Sequence, residues 1–121
     1  MKKKINIAVI GLGNIGSYFC NQIAKKRKDI LLKTGKKINL LYVSAKNRNK
    51  KRSFKFKKKQ WINRPVNITN NDNVDIVVEV VGGSDGIAKK VVISALKNKK
   101  HVITANKALI AKHGNYLSYL A

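Results

Sequence analysis

The stretch Gly11-Leu12-Gly13-Asn14-Ile15-Gly16 constrains this chain more than any other part of it. It fits GxGxxG, a pattern that carries weight only when a strand precedes it and a helix follows. Both are present. Residues 4–10 form an apolar run, with Ile5, Ile7, Ala8, Val9 and Ile10, and predict a short buried strand. Residues 14–28 predict a helix, in which Ile15, Tyr18, Phe19, Gln22 and Ile23 fall near a 3.6-residue repeat. Lys25 to Lys28 would lie in its last turn, where the dipole favours cations. In such a unit Gly11 allows the tight turn, Gly13 leaves room for a pyrophosphate, and Gly16 lets helix and strand pack closely. The N–H groups of the helix start then favour an anion. The competing interpretation is a glycine turn that merely joins strand to helix.

The rest of the chain alternates in the same way. Residues 38–44 predict a second strand, and residues 46–59 a basic polar loop. Residues 74–81 form the most apolar run, as in a strand covered on both faces. Gly82 and Gly83 end it. A helix follows over residues 88–97, with Val91, Val92, Ala95 and Leu96 on its apolar side and Asn98 in the left-handed conformation beyond it. Residues 101–104 predict a further strand. Residues 105–111 and 115–120 predict helices broken at Gly114. Strands alternating with helices indicate an α/β fold: a Rossmann-type, doubly wound parallel sheet in one domain over residues 1–121.

The end of the second strand bears on the cofactor. An NAD site usually carries an Asp or Glu there, on the ribose 2′-hydroxyl. Here the segment runs Val43-Ser44-Ala45-Lys46-Asn47-Arg48, with no acid until Asp72. Lys46 and Arg48 would meet a 2′-phosphate and Ser44 would donate a hydrogen bond, so NADP(H) is the expected cofactor and NAD(H) stays possible. Alternatively these charges belong to a solvated basic loop.

Two later segments, Val74-Asp75-Ile76-Val77-Val78-Glu79-Val80-Val81-Gly82-Gly83 and Lys100-His101-Val102-Ile103-Thr104-Ala105-Asn106-Lys107-Ala108-Leu109, resemble the N-terminal domain of homoserine dehydrogenases. The resemblance runs over essentially the whole chain. It implies an NAD(P)-dependent oxidoreductase that interconverts aspartate semialdehyde and homoserine, on the route to threonine and methionine. By the same resemblance Gly11, Gly13, Asn14, Ile15 and Gly16 match the pyrophosphate loop, and Gly82 and Gly83 the strand end passing close to the cofactor. Thr104 and Asn106 match the strand end beside the nicotinamide, and Lys107 a lysine at the reaction centre. Chemistry suits that lysine: hydride transfer to an aldehyde leaves negative charge on oxygen, and a positive donor stabilises it. A surface lysine after a cap is the plainer alternative. The family continues with a substrate and dimerisation region that these 121 residues do not contain. The expectations are therefore a cofactor-binding fragment with little or no turnover and a homo-oligomeric parent.

The net charge of +22 raises a different class of function, a nucleic-acid-binding protein with residues 46–59 as its phosphate-contacting arm. Lysine here accompanies many isoleucines and asparagines, all encoded by A/T-rich codons, so coding bias accounts for much of the charge. No helix-turn-helix or zinc pattern supports an arm. A dinucleotide-sensing Rossmann module without catalysis is a further alternative. No apolar run reaches the roughly 18 residues of a membrane span, and a cytoplasmic location is expected. Cys20 is the single cysteine and is expected in the core. His101 and His113 lack ligand-type neighbours, so no metal site is expected. Glu79 is expected to have a structural role or to support site residues from behind, not to act as a general base, Asp85 to cap a helix, and Phe54, Phe56 and Trp61 to anchor the basic loop.

Overall fold

A computed structural model describes residues 3–81 and 86–121. Gly82, Gly83 and Asp85, singled out above, lie outside the described residues. The elements run β1 (Lys4–Ile10), α1 (Asn14–Thr34), β2 (Lys37–Ser44), a 3-10 turn (Lys58–Gln60), α2 (Val66–Thr69), β3 (Ile76–Glu79), α3 (Ile87–Lys97), β4 (His101–Thr104) and α4 (Lys107–Leu120). The four strands form one sheet in the order β2-β1-β3-β4, all pairs parallel.

Alternation along β1 divides the core into two faces. Ala8 and Ile10 pack with Val77, Ile68, Val91 and Ala95 on the side of α2 and α3. Ile7 and Val9 pack with Val78, Val43 and Cys20 on the side of α1. Val77 and Val78 are both buried, so β3 is covered on both faces, as the valine run predicts. A third cluster joins Val92 of α3 to Leu109 and Leu117 of α4. This is the doubly wound Rossmann-type arrangement. No helix among the described residues is long and apolar enough to cross a membrane.

Four local expectations are corrected. First, α1 continues to Thr34 and stops at Gly35, which is left-handed (φ +72°) and donates its N–H to the Leu31 carbonyl. The lysine run at 25–28 is therefore mid-helix. Second, α1 buries only part of the face that its large apolar residues suggest: Phe19 and Ile23 pack against the core. Gly16, Ser17 and Cys20 turn inward, whereas Ile15 and Tyr18 are 64% and 63% exposed. The close approach at Gly16 sets the rotation of the helix, and only small residues fit at that distance. Third, Asn98 is not left-handed (φ −90°); its Nδ2 donates to the Ser94 carbonyl, and Lys99 takes the positive φ of +59°. Fourth, α4 begins at Lys107 and passes unbroken through Gly114. Glycine weakens a helix by roughly 0.5–1 kcal/mol, and Leu109 and Leu117, buried on either side, outweigh that.

The basic segment is loop apart from the 3-10 turn, and its aromatic residues anchor it. Phe54, Phe56 and Trp61 pack on the α1 side, with Phe56 and Trp61 stacked at 5.0 Å. Ile62 N–H donates to the Val43 carbonyl and Gln60 Nε2 to the Leu40 carbonyl, which covers the outer edge of β2.

Candidate functional site

The strand order reverses between β1 and β3, and in open parallel sheets ligands bind at such a reversal, beyond the carboxyl ends of the strands. Ser44, Ile10, Glu79 and Thr104 pair in register and form the last row across the sheet. The glycine loop rises from the middle of that row.

The three glycines differ in why they must be glycine. Gly11 has φ +103°, and a Cβ there would stand 2.8 Å from the Val80 carbonyl carbon and oxygen. Its N–H donates to the Ser44 carbonyl at 2.8 Å. A Cβ on Gly16 would stand 2.0 Å from the Gly11 oxygen. Both glycines are therefore required by the fold. Gly13 is not: its backbone (φ −70°, ψ −159°) suits any residue, and a Cβ would meet nothing within 4 Å. Gly13 is also the N-cap of α1, which has no side-chain cap and no acid in its first turn. The first-turn N–H groups, those of Asn14 and Ile15 among them, lack helical partners and face the space above Gly13.

On the β2 side, Lys46 and Arg48 are exposed on the turn that follows Ser44. Ser44 itself is fully buried, and its hydroxyl is shielded and without a hydrogen-bond partner. Its carbonyl accepts the Gly11 N–H. The turn is organised by Arg52, whose guanidinium donates to the carbonyls of Asn47, Arg48 and Lys50. Nothing in the sequence separates Arg52 from the neighbouring cations; only the folded turn does.

On the other side, roughly two strand spacings or 10 Å from β1, stands the end of β4. Asn106 caps α4, its Oδ1 accepting from the Leu109 N–H at 2.9 Å. Lys107 is the first residue of the helix and is exposed. A cation there sits at the positive end of the dipole, unfavourable by about 0.3–1 kcal/mol. Thr104 and Glu79 lie beneath. Thr104 Oγ donates to Glu79 Oε1 at 2.5 Å, Val81 N–H donates to Oε2 at 2.7 Å, and Asn106 N–H donates to Thr104 Oγ at 3.0 Å. Glu79 is fully buried.

Burial pushes the Cys20 thiol up to about 12, so it is no nucleophile near neutral pH. Among the described residues no three His, Cys, Asp or Glu side chains gather as a metal site would need. Lys55, Lys57 and Lys59 line a groove of about 610 Å³ with Lys4 and Arg27, between α1, β2 and the anchored loop. The inward packing of Phe54, Phe56 and Trp61 commits them to the core instead of to stacking on bases.

The family model described as "Homoserine dehydrogenase, NAD binding domain" matches residues 11–121. The homoserine dehydrogenase of Neisseria gonorrhoeae is 33% identical over 119 residues, which is 98% of this chain and 27% of that protein. That of Bacillus subtilis is 32% identical, over 95% of this chain and 26% of its own length. The crystal structure of S. aureus homoserine dehydrogenase at pH 7.5 superposes with a TM-score of 0.90 at 39% identity, covering 98% of this chain and 30% of the other. The chain thus spans between a quarter and a third of these proteins.

Proposed function

The chain belongs to the homoserine dehydrogenase family, of which it carries the NAD-binding domain, and we propose that it holds NADP(H) in preference to NAD(H) for the hydride transfer, to or from the nicotinamide, that interconverts aspartate semialdehyde and homoserine in a longer protein. One observation carries the dinucleotide reading: among the described residues no packing reason requires Gly13 to be glycine. A ligand that approaches the α1 N-terminus supplies that reason. The pyrophosphate would accept from the first-turn N–H groups of Asn14, Ile15 and Gly16. Lys46 and Arg48 would take the 2′-phosphate, held in place by Arg52, while Ser44 supports Gly11 from below. Thr104, Asn106 and the Gly82-Gly83 stretch would flank the nicotinamide.

The bound nicotinamide supplies the hydride. Lys107 would donate to the oxygen of the aldehyde, where negative charge develops, and its unfavourable place at a helix start suits such a role. The parent protein would work as a cytoplasmic homo-oligomer. The 121 residues alone would bind cofactor without appreciable turnover. Of their few carboxylates, Glu79 is committed in the sheet, and Asp75 accepts from the Asn6 N–H at the opposite end of the strands.

The test is calorimetric titration with NADPH and NADH at moderate salt. Tighter binding of NADPH is expected. Equal affinities would remove the roles given to Lys46 and Arg48, and binding of neither would remove the dinucleotide reading.

A further inference from the structure

We propose that Glu79 is a positioning residue for the nicotinamide half of the site, acting through Thr104, and that Thr104 braces this half from within the protein instead of contacting the cofactor with its hydroxyl. The proposal rests on the dinucleotide reading above.

A buried carboxyl group at the end of a valine-rich strand is the least expected side chain in this sheet. The sheet itself would accept another valine there, whereas burial of a carboxyl is unfavourable unless it is hydrogen-bonded. Both Glu79 oxygens are so bonded, to the Thr104 hydroxyl and the Val81 N–H. The consequence for Thr104 follows from its inventory. A hydroxyl has one proton, and here it goes to Glu79. The same oxygen accepts the Asn106 N–H. Thr104 therefore has no donor left for a ligand.

What the pair does instead is tie three elements together. From Glu79 at the end of β3 the bonds run to Thr104 at the end of β4, on to the Asn106 backbone, and from the Asn106 side chain to Leu109. Ala105 N–H also donates to the Glu79 carbonyl at 3.3 Å. Lys107 lies inside this clasp. The Lys46–Arg48 turn lies on the far side of β1, and the glycine loop, although it packs against Val80, shares none of these bonds. A dinucleotide with its pyrophosphate at Gly13 extends one nucleoside toward β2 and the other toward β3 and β4. Loosening the clasp should therefore weaken the hold on one half of the ligand only.

The experiment titrates the chain with NADPH and with 2′-phospho-ADP-ribose, which lacks the nicotinamide, and records melting temperatures. Wild type should bind both, with NADPH tighter. Glu79→Gln keeps the shape but puts a donor at one of the two acceptor positions, either opposing the Val81 N–H or reversing the bond to Thr104. It should lower NADPH affinity roughly ten-fold, the scale of one lost buried hydrogen bond, and leave 2′-phospho-ADP-ribose within about two-fold. Thr104→Val should reproduce that pattern, Thr104→Ser should restore binding, and the Glu79→Gln/Thr104→Val double variant should lose no more than either single one. Equal loss of both ligands, or no loss of either, would overturn the proposal. So would additive losses in the double variant, which would mean Thr104 meets the cofactor directly. Should Glu79→Gln fail to fold, the Thr104 variants decide alone. Wild type that binds neither ligand would instead overturn the dinucleotide reading beneath it.

Discussion

Gly13→Ala should separate binding from folding, and Gly16→Ala should not. At Gly13 the added methyl meets nothing within 4 Å and the backbone is one that alanine adopts freely. Two small terms act on stability. Alanine restricts the unfolded chain, which stabilises by about 0.4–1 kcal/mol; it is a poorer N-cap than glycine, which opposes that by a similar amount. The net change should stay within about 1 kcal/mol, a few degrees in melting temperature for a domain of this size. At Gly16 the methyl would overlap the Gly11 oxygen at 2.0 Å and press on Val80 Cγ2 at 3.0 Å. The Gly11 oxygen and its carbonyl carbon, 2.9 Å from the methyl, are backbone and cannot yield unless α1 moves off β1, so the loss should exceed the roughly 1–3 kcal/mol typical of overpacking. In binding, the Gly13 methyl would stand where the pyrophosphate must approach, and NADPH affinity should fall at least ten-fold, or about 1.4 kcal/mol. Thermal melts and calorimetry on the two variants make the comparison. Gly13→Ala with full stability and undiminished NADPH binding would refute the reasoning, because the open space above Gly13 would then have no ligand to explain it.

Lys46→Ala with Arg48→Ala should weaken NADPH by about ten-fold or more, the scale of charge-assisted bonds to phosphate, and leave NADH unchanged in the same titration. Gly114→Ala should raise the melting temperature by a few degrees, since the new methyl meets only Ile110 Cγ2 at 3.6 Å and the helix gains up to about 1 kcal/mol. Cys20 should resist thiol reagents in the native state and react on unfolding. Its thiol is raised from 9.0 to about 12 by burial, so the unfolded chain loses this proton first as pH rises. Stability should therefore decline from about pH 9 toward pH 12, by up to ~1.4 kcal/mol per pH unit from this group, and Cys20→Ala should flatten that part of a pH-dependent melting profile.

Much of the fold follows from patterns that act over a few residues. The apolar run before Gly11, the valine run at 74–81 and the alternation of strands with helices require a parallel sheet with both faces covered. Gly11 and Gly16 are legible for the same reason: a tight turn and a close helix admit no side chain wherever the rest of the chain goes. The segment at 100–109 was legible through resemblance, and residues 101–104 became β4 as expected. Misjudged features depend on contacts between distant residues. The inward face of α1 is set by the close approach of Gly16 to Gly11 and Val80, so Phe19 and Ile23 reach the core while Ile15 and Tyr18 stand outside. Gly114 does not break α4 because Leu109 and Leu117 are gripped by α3. Arg52 was one cation among many until the turn brought three carbonyls to its guanidinium. The burial of Ser44 and the bond from Gly11 N–H to its carbonyl follow from strand pairing, which no local pattern announces. Sequence by itself determined that this chain forms a dinucleotide-type sheet with a glycine loop at its centre, because backbone sterics and hydrophobic periodicity are local. Tertiary structure alone decided that Gly13, unlike Gly11 and Gly16, has no described neighbour that requires glycine and that Glu79 clasps Thr104, because both statements concern what fills the space between residues far apart in the chain.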